Sequence, residues 1–142
     1  MADTTSDLRL TYRGIPTLRS FTVAAANTIP VGAFVTLNSS GLAINGGDDA
    51  STIFAGVSFG KAHTGGQATA GETIVVATDF EVLCTLGTGG GAAANLGLDM
   101  NVIDNQTLDD DAAATNDVKA GILTEIVTTT SGWVKLQFAG TE

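Results

Sequence analysis

The densest run of strand-forming residues lies between positions 71 and 86. Residues 74–76 are an apolar block, and after it Phe80, Val82 and Cys84 recur at every second position. A two-residue period is typical of a strand with one buried face. Because a polar Thr-Asp pair at 78–79 interrupts the run, the pattern predicts two strands, about 73–77 and 80–86, that meet at a tight connection or a bulge and form a central hairpin.

A faint internal repeat surrounds this centre. The run A-A-A-N precedes a glycine twice, at Gly32 and at Gly97. Each of these glycines is followed 24 positions later by the glycine of a second short motif, Gly56 in A-G-V and Gly121 in A-G-I. The sequence therefore predicts two related halves on either side of the hairpin.

The N-terminal segment has its own alternation. Leu8, Leu10 and Tyr12 fall on one face of an extended chain, and Arg9 and Arg13 fall on the other. A glycine and a proline end the segment, and proline lacks the donor that a central strand needs. Two placements are open: a strand that closes the chain's own barrel, or an arm laid across a neighbouring subunit as an added strand.

The remaining apolar runs complete an all-β prediction. Further strands are expected at 18–26, 33–37, 42–44, 52–59, 99–104, 121–129 and 133–138. Helical potential is limited to one turn at 92–97 and to 107–118, where early acids favour a helix N-terminus. The expected core consists of Phe34, Val57, Ile74, Val76, Phe80, Val82, Ile122, Val134, Leu136 and Phe138.

The predicted organisation is one small β-barrel-like domain at 20–142 preceded by an arm at 1–19, with at most one or two short helices. Composition agrees, because eighteen glycines, few aromatics and few charges are typical of a sheet-rich chain with many turns. No secretory signal or membrane span is recognisable, so we expect a soluble protein made in a cytoplasm and no membrane partner.

Charge separates the arm from the body. Residues 1–19 carry three arginines and two aspartates, whereas the rest carries three lysines and thirteen acids, which gives the net charge of −9. Duplex binding draws its affinity from cations that neutralise phosphates. An acidic body therefore disfavours direct nucleic-acid binding.

Candidate chemistry is sparse. His63 lies in a glycine-flanked loop without a nucleophile nearby in sequence, and Cys84, the single cysteine, excludes an internal disulfide and has no basic neighbour. The G-T-G-G-G run at 87–91 lacks the lysine of a phosphate loop. The acids at 104–117 are expected to be solvated, with a calcium loop as the alternative. We therefore expect no catalytic site, no cofactor and no metal.

Glycine-and-strand motifs along most of the chain carry a family resemblance. In order they are V-G-A-F-V-T-L-N-S-S-G-L-A-I, F-A-G-V-S, T-A-G-E-T-I-V-V-A, G-L-D-M-N-V-I-D, K-A-G-I-L-T-E-I-V and S-G-W-V-K-L-Q-F. The series, within residues 20–138, resembles the capsid decoration, or cement, proteins of tailed bacteriophages. It is also similar in architecture to the lambda head decoration protein, a β-tulip trimer of the β-clip type.

The resemblance implies a structural virion protein without a catalytic residue. Such proteins bind the major capsid protein on the outside of an icosahedral shell and stabilise it against the pressure of packaged DNA. A homo-oligomer is expected, with a trimer favoured and a dimer left open. The alternative is a carbohydrate- or host-surface-binding module displayed on the virion.

The longer, arginine-bearing arm departs from the lambda-like pattern. Attachment is predicted where cations and apolar groups coincide, because the acidic bodies would repel one another and an acidic shell. The predicted capsid or subunit contacts are Leu8, Arg9, Leu10, Tyr12, Arg13 and Arg19.

Overall fold

The structure, a computed structural model, describes residues 3–140 and is all-β within that range. Two short 3-10 turns, Ala93–Asn95 and Phe138–Gly140, are its helical elements. The strands are β1 (Tyr12–Arg13), β2 (Thr17–Thr22), β3 (Thr28–Ile29), β4 (Phe34–Leu37), β5 (Ala43–Asn45), β6 (Ile53–Lys61), β7 (Ala68–Thr69), β8 (Thr73–Thr78), β9 (Glu81–Leu86), β10 (Asp99–Asp104), β11 (Thr107–Asp109), β12 (Lys119–Thr128) and β13 (Ser131–Leu136).

The second half of the chain closes into a five-stranded barrel. Its strands follow the order β9-β11-β10-β12-β13, and pairing of β13 with β9 completes the ring. The β11–β9 pair is parallel, and the other pairs are antiparallel. Closure leaves no strand of the ring without two neighbours. The predicted all-β class with a small barrel is confirmed.

The first half forms a sheet with the corresponding order, β2-β8-β6-β4-β5. All four of its ladders are antiparallel. The ends of this sheet approach each other at a single parallel bridge between Val23 and Ala43, reinforced by the hydrogen bond from Ala24 N to Ala43 O at 2.8 Å. The first half is therefore the same ring, closed at one point only.

Equivalent residues confirm the predicted repeat. The pair of Val35 opposite Gly56 in the first unit corresponds to the pair of Met100 opposite Gly121 in the second. Met100 follows Val35 by 65 positions, and Gly121 follows Gly56 by the same number. The hydrogen bond from Gly32 N to Ser58 O likewise corresponds to the one from Gly97 N to Leu123 O, at 2.8 Å in both cases. The two halves are two copies of one supersecondary unit.

The repeated glycines have a steric reason. A Cβ on Gly56 would lie 2.7 Å from the carbonyl oxygen of Ala77, and Gly56 has a φ of +145°. A Cβ on Gly121 would overlap the carbonyl oxygen of Lys135. In both units the missing side chain lets the long strand approach its neighbour closely.

The predicted central hairpin is wrong, although both of its strands exist. β8 pairs with β2 and β6, whereas β9 pairs with β1, β11 and β13. The link at 78–80 therefore carries the chain from one unit to the other. Asp79 adopts a φ of +64° there and donates its N–H to Leu136 O at 2.8 Å.

The predicted helix at 107–118 is also wrong. Thr107 and Leu108 pair in parallel with β9, and the fully buried Leu108 side chain joins the core. The following loop is held by the carboxylate of Asp48, which accepts hydrogen bonds from the N–H groups of Thr115 and Asn116, both at 2.7 Å. Barrel closure thus prevails over the local helical potential.

Two apolar clusters fill the molecule, and eight of the ten predicted core residues are buried. The buried residues of one cluster all come from the first half, whereas the cluster of the barrel also includes Phe34, Phe54, Val57 and Ala77 of the first half. Ile122 is half-buried, because an extra residue at Ala120 makes a bulge opposite Met100 and Asn101 and turns Leu123 inward instead. Phe138 is half-buried because β13 ends before it, and its ring stacks on that of Phe21.

Candidate interaction surface

The arm lies along the body of its own chain. Thr4 N donates to Asn105 Oδ1 at 2.8 Å, and Asp7 Oδ1 accepts from Val31 N at 2.8 Å. Leu8 N donates to Val31 O at 2.7 Å. These bonds tie the arm to both halves, since Val31 belongs to the first unit and Asn105 to the second.

The end of the arm becomes a strand on the closed barrel. Leu83 N donates to Thr11 O at 2.9 Å, and Tyr12 and Arg13 pair with Val82 and Glu81. In the single chain the arm therefore occupies the first of the two predicted placements, on its own barrel.

The apolar side chains of the arm face inward. Leu8 and Leu10 are half-buried and line, with Phe34, Val82 and other residues, a cavity of about 150 Å³ that reaches Cys84. Leu10 packs against the core cluster of the barrel. The predicted alternation of the arm is thus used to cover the barrel wall.

Tyr12 combines core contact with exposure. Its ring centroid lies 5.2 Å from that of Phe80 in an edge-to-face arrangement and 5.8 Å from that of Phe59. Such pairs add to the stabilisation that burial provides. The side chain nevertheless remains 47% exposed.

Arg13 fastens the arm by its charge. Its Nε and Nη2 donate to the two carboxylate oxygens of Glu81 at 3.0 and 3.1 Å, and Nη2 also donates to Glu125 at 2.9 Å. The guanidinium carbon lies 4.2 Å from the ring centroid of Trp133. Hydrogen bonds from Arg13 and Thr124 lower the pKa of Glu81, and the two carboxylates raise the pKa of Arg13.

Arg19 also contacts its own chain. Its Nη1 donates to Thr78 Oγ1 at 2.6 Å and lies 4.0 Å from a carboxylate oxygen of Asp79. Its guanidinium carbon is 4.8 Å from the ring centroid of Phe138. Arg19 is half-buried in β2 and therefore belongs to the first unit rather than to the strap formed by the arm.

Arg9 differs from the other two arginines. It is exposed, and its guanidinium makes no hydrogen bond or ion pair with any residue in the described range 3–140. Two apolar residues that follow it in sequence are also exposed, Ile15 at 93% and Leu18 at 54%. The sequence prediction missed both, although an isoleucine between glycine and proline in a turn was a usable signal.

The other candidate groups are spread over the molecule. His63 is exposed in a loop with a φ of +71°. Cys84 is buried inside the barrel, and burial raises the pKa of its thiol, which disfavours the reactive thiolate. Within residues 3–140 no group of three or more potential ligands is arranged to hold a metal ion.

The expectation that the acids at 104–117 are solvated is wrong for two of them. Asp104 and Asp109 are 5% and 7% exposed. Burial raises the pKa of Asp109, whose Oδ1 accepts the N–H of Asp110 at 2.8 Å. A neighbouring acid, Asp99, is instead paired with Lys119 at 2.8 Å, and that bond raises the pKa of the lysine.

Comparisons with known protein families, with curated proteins and with solved structures found no match for this chain. In the part of the chain that the structure describes, no helix is long and apolar enough to cross a membrane.

Proposed function

We propose that this chain is a structural virion protein that binds the outer surface of an icosahedral phage capsid and stabilises the shell. The observation that carries the proposal is the unpaired, exposed Arg9 on a well-anchored arm, in a chain whose net charge is −9. The motif resemblance to capsid decoration proteins supports the same role. The partner is the major capsid protein.

Anchoring of the arm supports a binding role because it lowers the cost of association. The strap is held by backbone pairing, by the aromatic contacts of Tyr12 and by the Arg13 pairs. A surface that is already ordered loses little conformational entropy when a partner binds. In this arrangement Arg13 and Tyr12 hold the arm, while Arg9 is available to a capsid carboxylate.

A homo-oligomer on the capsid would add avidity. Several arms joined in one assembly bind at a high effective concentration after the first has engaged, which can raise the overall affinity by about 10² to 10⁴. The sequence favours a trimer and leaves a dimer open. The arm pairs with its own barrel in the structure, so its strand edge gives no separate support to the trimer.

The test is binding of purified protein to expanded, undecorated shells, measured by co-sedimentation. Arg9→Ala should weaken binding by about tenfold and reduce its dependence on salt, because it removes an exposed cation of the arm that has no partner within residues 3–140. Lys61→Ala is the matched control. It also removes one positive charge, but Lys61 lies outside the arm and is already paired with Glu72. Equal binding by both variants would overturn the assignment of the surface.

A further inference from the structure

The strand β2 has one edge without a partner. Val23 N donates to Glu72 O at 2.9 Å, on the side of β8. Backbone groups of successive residues in an antiparallel strand point to opposite sides. Those of Leu18, Ser20 and Thr22 therefore point away from β8, where none of the described residues receives or donates a hydrogen bond to them.

The internal repeat shows what such an edge accepts. In the second unit β9 takes the place of β2, and the bond from Leu86 N to Thr130 O corresponds to that from Val23 N to Glu72 O. The outward edge of β9 is covered by the arm, which Leu83 N joins by donating to Thr11 O. Ser20 is the equivalent of Leu83, and no extended segment within residues 3–140 covers it.

The composition of this edge favours pairing. Native proteins protect exposed edge strands with lysine, proline, inward charges or bulges. β2 reads T-L-R-S-F-T, without a lysine, a proline or an acid, and it pairs with β8 over six residues without a bulge. The outward-facing Leu18 is 54% exposed.

The charge distribution favours a second copy of this chain as the partner that pairs with the free edge of β2. The chain has a net charge of −9, so two copies repel each other over most of their surfaces. Residues 8–47, which include β2, contain no acid and carry three arginines. Two copies can therefore approach through this stretch, because Asp79, an acid beside β2, lies 4.0 Å from Arg19 of its own chain, which offsets its charge.

We propose that two copies of this chain associate through antiparallel pairing of β2 with β2 across a twofold axis at Ser20. In this register Leu18 of each copy faces Thr22 of the other, so three facing pairs can each exchange two hydrogen bonds. Arg19 of each copy faces Phe21 of the other, which permits a contact like that of Arg19 with Phe138 within the chain. The proposal does not depend on capsid binding.

The register can be tested by disulfide formation in the full-length chain. Facing hydrogen-bonded residues in an antiparallel pair have Cα atoms about 5.5 Å apart, within the range of a disulfide. Ser20→Cys should form a covalent dimer under mild oxidation. The native Cys84 is buried and should not interfere.

Two matched variants serve as controls. Leu18→Cys lies on the same edge but away from the twofold axis, and Ser39→Cys is exposed in a distant turn. Both should cross-link more slowly than Ser20→Cys. Cross-linking of either control at the rate of Ser20→Cys would overturn the proposed pairing.

Non-covalent association provides an independent test. Light scattering over a micromolar to submillimolar range should show the molar mass of the unmodified chain rising toward twice that of a monomer. Added salt should favour the dimer, because it screens repulsion between two acidic bodies. Ser20→Pro removes an outward donor and should shift the protein toward the monomer, whereas Ser20→Ala should not.

A protein that stays monomeric over the whole concentration range, at low and high salt, would overturn the proposal. So would a dimer that Ser20→Pro leaves intact, since that dimer must use another surface. If Ser20→Pro does not fold, the three cysteine variants alone decide the outcome.

Discussion

At the scale of single residues, Arg13 joins the arm to three strands of the barrel. One guanidinium joins the arm to Glu81 in β9 and to Glu125 in β12, and it covers the ring of Trp133 in β13. Three strands of the barrel are thus contacted by one side chain. Because the site is exposed, each contact is modest by itself, and the arm depends on the combination.

Trp133 is the chain's one tryptophan and reports directly on this contact. Arg13→Ala should change the fluorescence of Trp133, because the cation above the ring is removed and water replaces it. Arg9→Ala, which removes an arginine without a partner among the described residues, should leave the emission unchanged. An unaltered spectrum in Arg13→Ala would contradict the proposed role of this residue.

Acid should loosen the same contact. The pKa of Glu81 is lowered in the folded protein by Arg13 and Thr124, so Glu81 stabilises the fold while it is ionised. That stabilisation is present above the ordinary carboxyl range and is lost as the pH falls through the lowered pKa. Trp133 emission of the wild type should therefore titrate in acid, and that titration should be absent from Glu81→Gln.

Core residues should show much larger effects on stability. Phe80 is 3% exposed and Leu136 is fully buried, both in the cluster that fills the barrel. Truncation of either to alanine should lower the free energy of unfolding by about 2–5 kcal/mol, because it removes apolar contacts and leaves a cavity. Chemical denaturation measures the change, and the half-buried Ile122→Ala, with a smaller loss, is the control.

At this scale the sequence predicted the core well and the polar interior poorly. Alternation identified Val82 and Val134, because a regular strand keeps its period. The bulge at Ala120 broke that period and misplaced Ile122. The burial of Asp109 left no signal in the sequence, because it results from barrel closure over a residue whose neighbours are also acids.

At the scale of elements, the repeated unit organises the molecule. The long strand of each unit contains a glycine, Gly56 in β6 and Gly121 in β12. Each lies opposite the residue three positions after an earlier glycine, Gly32 or Gly97, and the two units share equivalent backbone hydrogen bonds. The spacing of glycines was therefore a stronger signal than the apolar run at its centre. It reflects close backbone approaches that only glycine permits.

Gly121→Ala should be strongly destabilising, since its Cβ would overlap the Lys135 carbonyl and the β12–β13 ladder would have to move apart. We expect a loss of about 1–3 kcal/mol or more in the free energy of unfolding. Gly65→Ala is the control, because its Cβ meets nothing within 4 Å and its cost arises from a φ of +67° alone. A smaller loss in Gly121→Ala than in Gly65→Ala would contradict the packing argument.

The arm is the element whose position the sequence left open. Its alternation predicted an extended segment with an apolar face, but pairing of β1 with β9 joins residues almost 70 positions apart. Sequence periodicity carries no information about such a long-range partner. For the same reason it could not show that β8 and β9 belong to different sheets.

Removal of residues 1–13 should uncover the wall of the barrel while leaving β2 intact. Leu8 and Leu10 line the cavity that reaches Cys84, so the truncated protein should react faster with a thiol reagent than the intact chain. Far-ultraviolet circular dichroism checks that the body remains folded. Equal thiol reactivity in a folded truncation would show that the arm does not protect the barrel.

At the scale of the whole molecule, the single arm pairs with only one of the two similar units. The arm covers the β9 edge of the second unit and leaves the equivalent β2 edge of the first unit open. The unit that the arm covers is the closed barrel, and the other is closed at a single bridge. One of the two units thus has all the edges of its strands paired, and the other has a free strand edge.

The charge distribution follows the same asymmetry between the two units. The acids lie in residues 3–7 and from residue 48 onward, and the segment between them contains the free Arg9 and the open edge of β2. Net negative charge favours solubility at high copy number. The attachment and the self-association that we propose both use this acid-free stretch.

The proposed capsid role is tested most directly by a cryo-EM map of virus particles purified from cells that express this chain, with its copy number in the particles measured by quantitative mass spectrometry. We expect hundreds of copies bound in regular positions on the outer surface of the shell, with Arg9 at the contact with the major capsid protein. Purified particles that lack the chain, or that carry it only inside the shell or at the tail, would overturn the proposed role.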